Sequence, residues 1–244
     1  MGSNFGVGSR HTRDINVGII LNFSVIKEVI MKNIISFIVL ICSVAVILTS
    51  CSKDEESTTD ATTTSKTTTT PSGSITMGSY TASGVYLSSC FSGSGVSTLV
   101  SAGSLPSDAQ SFGFAFVVTG DDSFTQETHV FTDTGCTTST YISKALRDNV
   151  TVGTASGANY PVTYNDQGFK LTVNTTTAET WLETLYANIG RTLDFTVGRE
   201  MGVYPASFTL TYGLWTPSAT TIYLATESIN STPSTAGTTV YTKE

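Results

Sequence analysis

The chain has 244 residues, with 19 Asp and Glu against 12 Lys and Arg, and a formal net charge of −7. This acidity argues against binding to nucleic acid, whose phosphates require a basic patch, and against docking on anionic lipid headgroups. Only 13% of the residues are charged. Because Gly, Ser, Thr and Tyr are abundant instead, the composition favours a β protein over a helical enzyme.

An apolar run from Ile34 to Leu48 follows the positively charged Lys32 and leads into the motif Leu48–Cys51. A run of about 15 residues is shorter than the roughly 20 that span a bilayer, and it fits the hydrophobic region of a signal peptide. Leu-Thr-Ser-Cys resembles the lipobox of bacterial lipoproteins. The resemblance implies a signal peptide at 31–50 and a lipid on Cys51. The alternative is a plain signal anchor with an incidental Cys.

Lipidation of Cys51 implies a membrane partner without a spanning helix, because two acyl chains such as palmitate attach a protein stably. Ser52, in place of Asp, resembles the sorting choice of outer-membrane lipoproteins, and the charged run Lys53–Glu56 resembles surface-export signals of some lipoproteins. The resemblance therefore implies a bacterial cell-envelope protein, held at the outer membrane and facing the periplasm or the exterior.

Residues 1–30 do not fit in front of a signal peptide, which is read near the start of a chain. We predict that they are a mis-assigned upstream extension and that translation begins at Met31. The residues Lys27–Ile30 can be encoded by a ribosome-binding sequence just before that codon.

Two cysteines remain once Cys42, in the predicted signal, and Cys51 are set aside. Cys90 and Cys136 form one pair in an oxidising compartment, which predicts a disulfide. Such a bond stabilises the fold by about 4 kcal/mol through loop-closure entropy. A metal pair or a reactive thiol is the alternative, but neither Cys has His or Cys neighbours at ligand spacing.

Residues 51–76 combine the lipidated Cys51 with a Ser- and Thr-rich stretch that contains almost no apolar residues. This composition cannot bury a core, so we predict a disordered linker there and a β domain at 77–244.

The first part of the β domain contains a strong hairpin signal. Gly84–Cys90 and, more weakly, Val96–Val100 are predicted strands, and Ser111–Thr119 and Phe124–Phe131 flank a turn at Gly120–Ser123. Further strands, with a turn at Asn165–Gly168, are predicted at Ser139–Ser143, Asn149–Gly153, Phe169–Val173, Leu193–Val197, Ser207–Trp215, Thr221–Ala225 and Thr238–Thr242. Along Ser207–Trp215 the alternation predicts an inward face of apolar side chains, opposite Ser207, Thr209 and Thr211: Phe208, Leu210, Tyr212 and Leu214.

One segment has helical periodicity. Thr176 and Glu179 form a capping box, and Trp181, Leu182 and Tyr186 recur at helical spacing before Gly190. We predict one short helix at about 177–189. It either covers an end or face of the sheet, which we prefer, or lines a ligand site.

About eight to ten short strands with one helix predict an all-β fold, either an antiparallel barrel or a sandwich. Gly84–Cys90 and the later Phe131–Cys136 resemble small bacterial lipocalin-like domains, which implies a lipocalin-like barrel. The Gly-x-Trp motif typical of lipocalins is absent from this region.

The sequence contains no catalytic, cofactor or metal motif. His129 is the one histidine after residue 50, and no Gly-x-Ser-x-Gly elbow, Walker loop or dinucleotide motif occurs. Asp121 and Asp122 could bind calcium but are more typical of a solvated turn. Asp133, Asp194 and Glu200 are candidate catalytic acids, but nothing in the sequence indicates which two would act together.

Three functions stay open from the sequence. The first is a non-enzymatic, lipid-anchored binding or structural β domain whose partner is a protein, a glycan or a small apolar ligand. The second is a lipocalin-like carrier of a small apolar ligand, and the third, more distant, is a hydrolase.

Overall fold

The computed structural model describes residues 67–205 and 207–244. The predicted upstream extension, signal peptide, Cys51 and linker residues 52–66 lie outside them. The described strands are β1 (Ile75–Met77), β2 (Tyr80–Ala82), β3 (Val85–Leu87), β4 (Phe91–Ser92), β5 (Ser111–Val118), β6 (Phe124–Phe131), β7 (Ser139–Val152), β8 (Tyr160–Val173), β9 (Glu200–Val203), β10 (Thr209–Pro217), β11 (Thr221–Leu224) and β12 (Val240–Lys243). The described helices are α1 (Ser94–Ser101) and α2 (Thr176–Asn188).

Eight of these strands form a closed antiparallel barrel in the order β3, β5, β6, β7, β8, β10, β11, β12. The pairing of β12 with β3, and that of β8 with β10, close the sheet on itself. β4 extends the ladder along β5, and β9 pairs with the second half of β8. The prediction of an all-β antiparallel barrel, consistent with a lipocalin-like fold, is confirmed.

The predicted hairpin of β5 and β6 is confirmed, with Ser111 opposite Phe131 and Val118 opposite Phe124. Every residue of β5 is buried. The alternate side chains from Phe112 to Val118 belong to the main core inside the barrel, whereas Ala115 and Val117 pack with Leu87 on the opposite, outer face. Burial on both faces explains the continuous apolar sequence of this strand.

Four aromatic rings occupy the middle of the barrel. Phe116, Phe124 and Trp215 have ring centroids 5.0–5.3 Å apart, and Tyr164 lies 5.0 Å from Phe124. Gly213 makes room for this cluster, because a Cβ there would lie 2.9 Å from a Val162 methyl and 3.3 Å from Tyr164. The interior is therefore packed with side chains at this level.

The two ends of the barrel are covered by different elements. α2 covers the end where β8 stops, and it buries Ala178, Leu182 and Tyr186. The β1–β2 hairpin lies at the other end, where a Cβ on Gly78 would meet the Tyr160 hydroxyl at 2.5 Å. The predicted helix is confirmed one residue earlier than expected, in the covering role that we preferred. Among the described residues no helix has the length and apolarity of a membrane span.

Two predicted strands have other structures. Val96–Val100 lies within α1, where Val96 and Leu99, three residues apart, are the buried side chains. A five-residue stretch with three apolar side chains does not distinguish a strand from a helical turn. Leu193–Val197 is not a strand, because Phe195 packs against Tyr186 and its N–H donates to Glu183 Oε1 at 3.2 Å.

Two other predictions placed a break inside a continuous strand. Ser139–Ser143 and Asn149–Gly153, apart from its last residue, belong to one 14-residue strand, β7, which stays paired through a bulge where Asn149 adopts a φ of 51°. Asn165–Gly168 is not a turn but a bulge in β8, with Gly168 at a φ of 102°. At both places, residues that favour turns form a β-bulge within a continuous strand.

The predicted inward face of β10 is wrong. Phe208 and Leu210 are 63% and 48% exposed, whereas Trp215 is 1% exposed. Trp215 points into the barrel, where its ring packs beside Phe116 and Phe124. Because side chains alternate along a strand, the residues at even spacing from Trp215 face the interior and those between them face outward.

Part of the predicted linker belongs to the β domain. Ser72 N–H donates to Val118 O at 2.9 Å, Ser74 N–H donates to Asp121 Oδ1 at 3.0 Å, and β1 begins at Ile75. Side chains contribute as well, because Ser72 Oγ donates to Thr119 O at 2.6 Å and Thr69 Oγ1 donates to Glu127. A Ser- and Thr-rich stretch can therefore bond to a barrel surface, although it cannot form a core of its own. The β domain therefore includes residues 67–76.

Candidate functional site

A groove of about 550 Å³ lies between α2 and the connection from α1 to β5, within the roughly 300–1,000 Å³ typical of ligand sites. Val100, Leu105 and Trp181 are its apolar lining residues. The Trp181 ring is fixed from two sides. Its Nε1–H donates to Gly103 O at 2.9 Å, and Tyr141 contacts the ring edge-on at a centroid distance of 5.6 Å. The half-buried indole is thus a rigid surface in the groove.

Hydroxyl side chains form the rest of the lining. Ser107 comes from the α1–β5 connection, and Thr176, Thr177, Thr180 and Thr184 come from α2. Because residues four apart lie on the same side of a helix, Thr176, Thr180 and Thr184 form a row. Among the described residues that line the groove, none has a charged side chain.

A hydrogen-bond network around Asp108 holds the two walls of the groove together. Asp108 accepts from Thr140 Oγ1 at 2.9 Å and from Thr175 Oγ1 at 2.7 Å. Thr175 is the N-cap of α2, one residue before the predicted cap, and its hydroxyl accepts from Ala178 N–H at 3.2 Å. A carboxylate beside a helix N-terminus is also favoured by the helix dipole. α2 and the α1–β5 connection are therefore fixed relative to each other.

The disulfide between Cys90 and Cys136 is confirmed. It joins Cys90, directly before β4, to the turn between β6 and β7. In that turn Asp133 accepts from the backbone N–H groups of Gly135, Thr137 and Thr138. Desolvation alone would raise the pKa of Asp133, but these hydrogen bonds outweigh it and lower that pKa to about 2. Asp133 thus shapes the turn that presents Cys136.

His129, the sequence candidate for catalysis, lies on the outer face of β6. Its Nε2 is 2.8 Å from Glu127 Oε2, and both residues are buried. Glu127 also accepts from the hydroxyls of Thr69 and Thr125. Burial would raise the pKa of Glu127, but hydrogen bonds from His129, Thr67 and Thr69 lower it overall. The network attaches the segment that precedes β1 to the barrel wall.

Arg147 lies inside the barrel wall and was not singled out by the sequence. It donates to Asp166 Oδ1 at 2.8 Å and to Glu227 Oε2 at 3.1 Å, and it lies over the rings of Tyr164 and Phe169 at 5.9 Å. Burial opposes its charge, but the two carboxylates raise its pKa overall. Its partners are 19 and 80 residues away in sequence, so no local pattern could have indicated this cluster.

Two of the other sequence candidates have structural partners. Asp121 accepts from Ser74, and Glu200 bridges Lys144 and Lys170, each at 3.2 Å. Among the described residues no group of three His, Cys, Asp or Glu side chains is arranged to hold a metal ion. The sequence singled out Trp181 but did not predict the groove, because the second wall comes from a connection that lies far earlier in the chain; Gly103, for example, is 78 residues from Trp181.

No protein-family model matches the chain, and no curated protein matches its sequence. The barrel and the groove geometry therefore carry the functional inference.

Proposed function

We propose that this protein is a lipid-anchored lipoprotein of the bacterial cell envelope whose β-barrel is a non-enzymatic binding domain, with its ligand site in the groove beside α2. The observation that carries this proposal is the contrast between a barrel interior filled by aromatic rings and an open groove of about 550 Å³ at one end. An antiparallel barrel is compatible with a binding or carrier domain.

The packed interior favours a groove site over a carrier function. A carrier of an apolar molecule needs an internal cavity of roughly 300 Å³ or more. Phe116, Phe124, Tyr164 and Trp215 occupy the centre of the barrel, with α2 and the β1–β2 hairpin at its two ends. The ligand site that this arrangement leaves accessible is on the helix side.

The sequence supports the anchor. Leu48–Cys51 resembles a lipobox, and two acyl chains on Cys51 give stable membrane attachment. We propose an outer-membrane location on the resemblance of Ser52 to the sorting residue, with the domain in the periplasm or at the surface.

Metabolic labelling with radioactive palmitate tests the anchor. We expect the full chain to incorporate label and Cys51→Ala to lose it. Cys42→Ala is the matched control, because it removes a cysteine nine residues earlier in the same segment and should keep the label. Equal labelling of the Cys51 variant and the wild type would overturn the proposed lipidation.

Titration with a fluorescent polyene fatty acid tests the position of the ligand site. If the protein were a carrier, about one equivalent of the fatty acid would bind inside the barrel. The bound polyene would then accept energy transfer from the buried Trp215. We expect no saturable transfer, because the centre is already filled. Saturable, stoichiometric transfer that is unchanged by Thr180→Lys in the groove would support the carrier and contradict our proposal.

A further inference from the structure

We infer that the groove beside α2 binds a neutral oligosaccharide. The inference deepens the proposed function and rests on the groove being the ligand site. It is carried by the character of the nine lining residues and by the fixed position of Trp181.

The absence of charge in the lining indicates a neutral ligand. None of the nine described residues that line the groove is ionisable. A carboxylate, phosphate or ammonium group that loses water on binding needs an oppositely charged or strongly hydrogen-bonding partner. The lining offers hydroxyls and an indole instead.

The balance of polar and apolar surface argues against a purely apolar ligand. Five of the nine lining residues, Ser107 and the four α2 threonines, carry a hydroxyl. An acyl chain or sterol over these groups would remove their water without replacing their hydrogen bonds. A sugar has hydroxyls at its edges and C–H groups on its ring faces, so it satisfies both parts of the lining.

The Trp181 indole is suited to one ring face of a sugar. Its hydrogen bond to Gly103 O and its contact with Tyr141 hold the ring in place before any ligand arrives. A fixed contact surface loses little conformational entropy on binding. The Asp108 network fixes the threonines of α2 relative to the α1–β5 connection in the same way.

The size of the groove favours a short oligosaccharide over a docked protein. A stable protein interface involves about 20–30 residues a side, whereas nine line this groove. Its volume of about 550 Å³ lies in the range of small-molecule sites.

The experiment uses the full chain with Cys51→Ala, labelled with ¹⁵N, and follows the indole N–H signals of its two tryptophans. The probes are maltohexaose, cellohexaose, laminarihexaose and chitohexaose as neutral sugars, a chondroitin sulfate hexasaccharide as a charged sugar, and palmitate. We expect at least one neutral sugar to shift the Trp181 signal saturably, while the signal of the buried Trp215 stays in place.

A matched pair of isosteric variants tests the hydroxyl contacts. Thr180→Val removes an exposed hydroxyl from the groove, and we expect it to weaken binding of the active sugar about 3–10-fold, as the loss of one hydrogen bond does. Thr81→Val on β2, at the opposite end of the barrel, should leave the affinity unchanged.

The outcomes separate this inference from the proposed function. If no neutral sugar moves the Trp181 signal, the inference is overturned, whereas palmitate labelling at Cys51 would still support the anchored protein. If the sulfated sugar or palmitate alone moves it, the groove remains the site but its ligand class is wrong. If a sugar binds but Thr180→Val and Thr81→Val behave alike, the groove assignment fails as well.

Discussion

The barrel interior and the groove each contain one of the two tryptophans of the chain, and their surroundings differ. Trp215 is 1% exposed and contacts Phe116 and Phe124 at 5.3 and 5.1 Å. Trp181 is half-buried, and beyond Tyr141 and Gly103 its neighbours in the groove are largely hydroxyl side chains. One indole is surrounded by other rings, and the other borders an open space.

This difference indicates that the residues that stabilise the domain and the residues that are accessible to a ligand lie in different places. The interior excludes ligands because its rings already contact each other, so its side chains contribute to folding. The groove leaves exposed threonines of α2 in contact with water. Although Thr184 Oγ1 donates to Thr180 O within the helix, these side chains should contribute less to folding than the interior rings and remain available for binding. Substitutions at matched positions can test the separation.

The largest effect should come from truncating the two tryptophans in turn. Trp215→Ala removes the ring that joins three strands, and we expect the free energy of unfolding to fall by about 3–5 kcal/mol. Trp181→Ala truncates a half-buried side chain, so the loss should be about 1–2 kcal/mol. Urea denaturation followed by circular dichroism measures both values. Equal losses would remove the distinction between interior and groove.

The disulfide is the next largest contribution and affects the groove side. Cys90 and Cys136 are 46 residues apart, so replacing both with Ser should reduce the free energy of unfolding by about 4 kcal/mol. Cys90 precedes α1, and the α1–β5 connection forms one wall of the groove. We therefore expect hydrogen exchange to rise more in residues 94–107 than in β5 and β6. A uniform rise over the barrel would contradict this.

The β5–β6 hairpin and α1 show how far the sequence could predict the fold. The hairpin was predictable because its strands alternate or are apolar throughout, with a Gly-Asp-Asp turn between them. The segment that forms α1 was not, because it is short and its helical state depends on burying Val96 and Leu99 against the barrel. Local pattern determines the first element, and tertiary contact determines the second.

The candidate site was predictable only in part. The helical spacing around Trp181 and the Cys90–Cys136 pair could be read from the sequence. The Arg147 cluster and the groove could not, because each joins segments far apart in the chain. Similarly, Phe208 and Leu210 alternate as core residues do, yet the competing Trp215 takes the interior of the barrel.

The pH dependence of stability tests the contribution of Asp133, in the turn that contains Cys136, against that of an Asp in another turn. The folded pKa of Asp133 is about 2, below the roughly 3.9 of an unperturbed Asp. A lowered pKa stabilises the fold above the unfolded value, and this contribution is lost as the pH falls through about 2. We expect Asp133→Asn to be less stable than wild type above about pH 4.

The stability difference between Asp133→Asn and wild type should disappear near pH 2, which denaturation curves at several pH values can measure. Asp122→Asn at the tip of the β5–β6 turn is the control. A difference for Asp133→Asn that stays constant down to pH 2 would show that its hydrogen bonds do not depend on the charge.

The smallest effect on stability should come from the groove itself. Thr180 is exposed on α2, and Val has the same shape and a similar helix propensity, so Thr180→Val should change the free energy of unfolding by less than about 0.5 kcal/mol. Thr211→Val is the interior counterpart, because Thr211 is 4% exposed and its hydroxyl donates to Thr209 O. Losing that bond inside the barrel should cost about 1 kcal/mol. A larger loss of stability for Thr180→Val than for Thr211→Val would mean that the Thr180 hydroxyl is already hydrogen-bonded within the protein. The hydroxyl row on α2 would then stabilise the fold rather than bind a ligand.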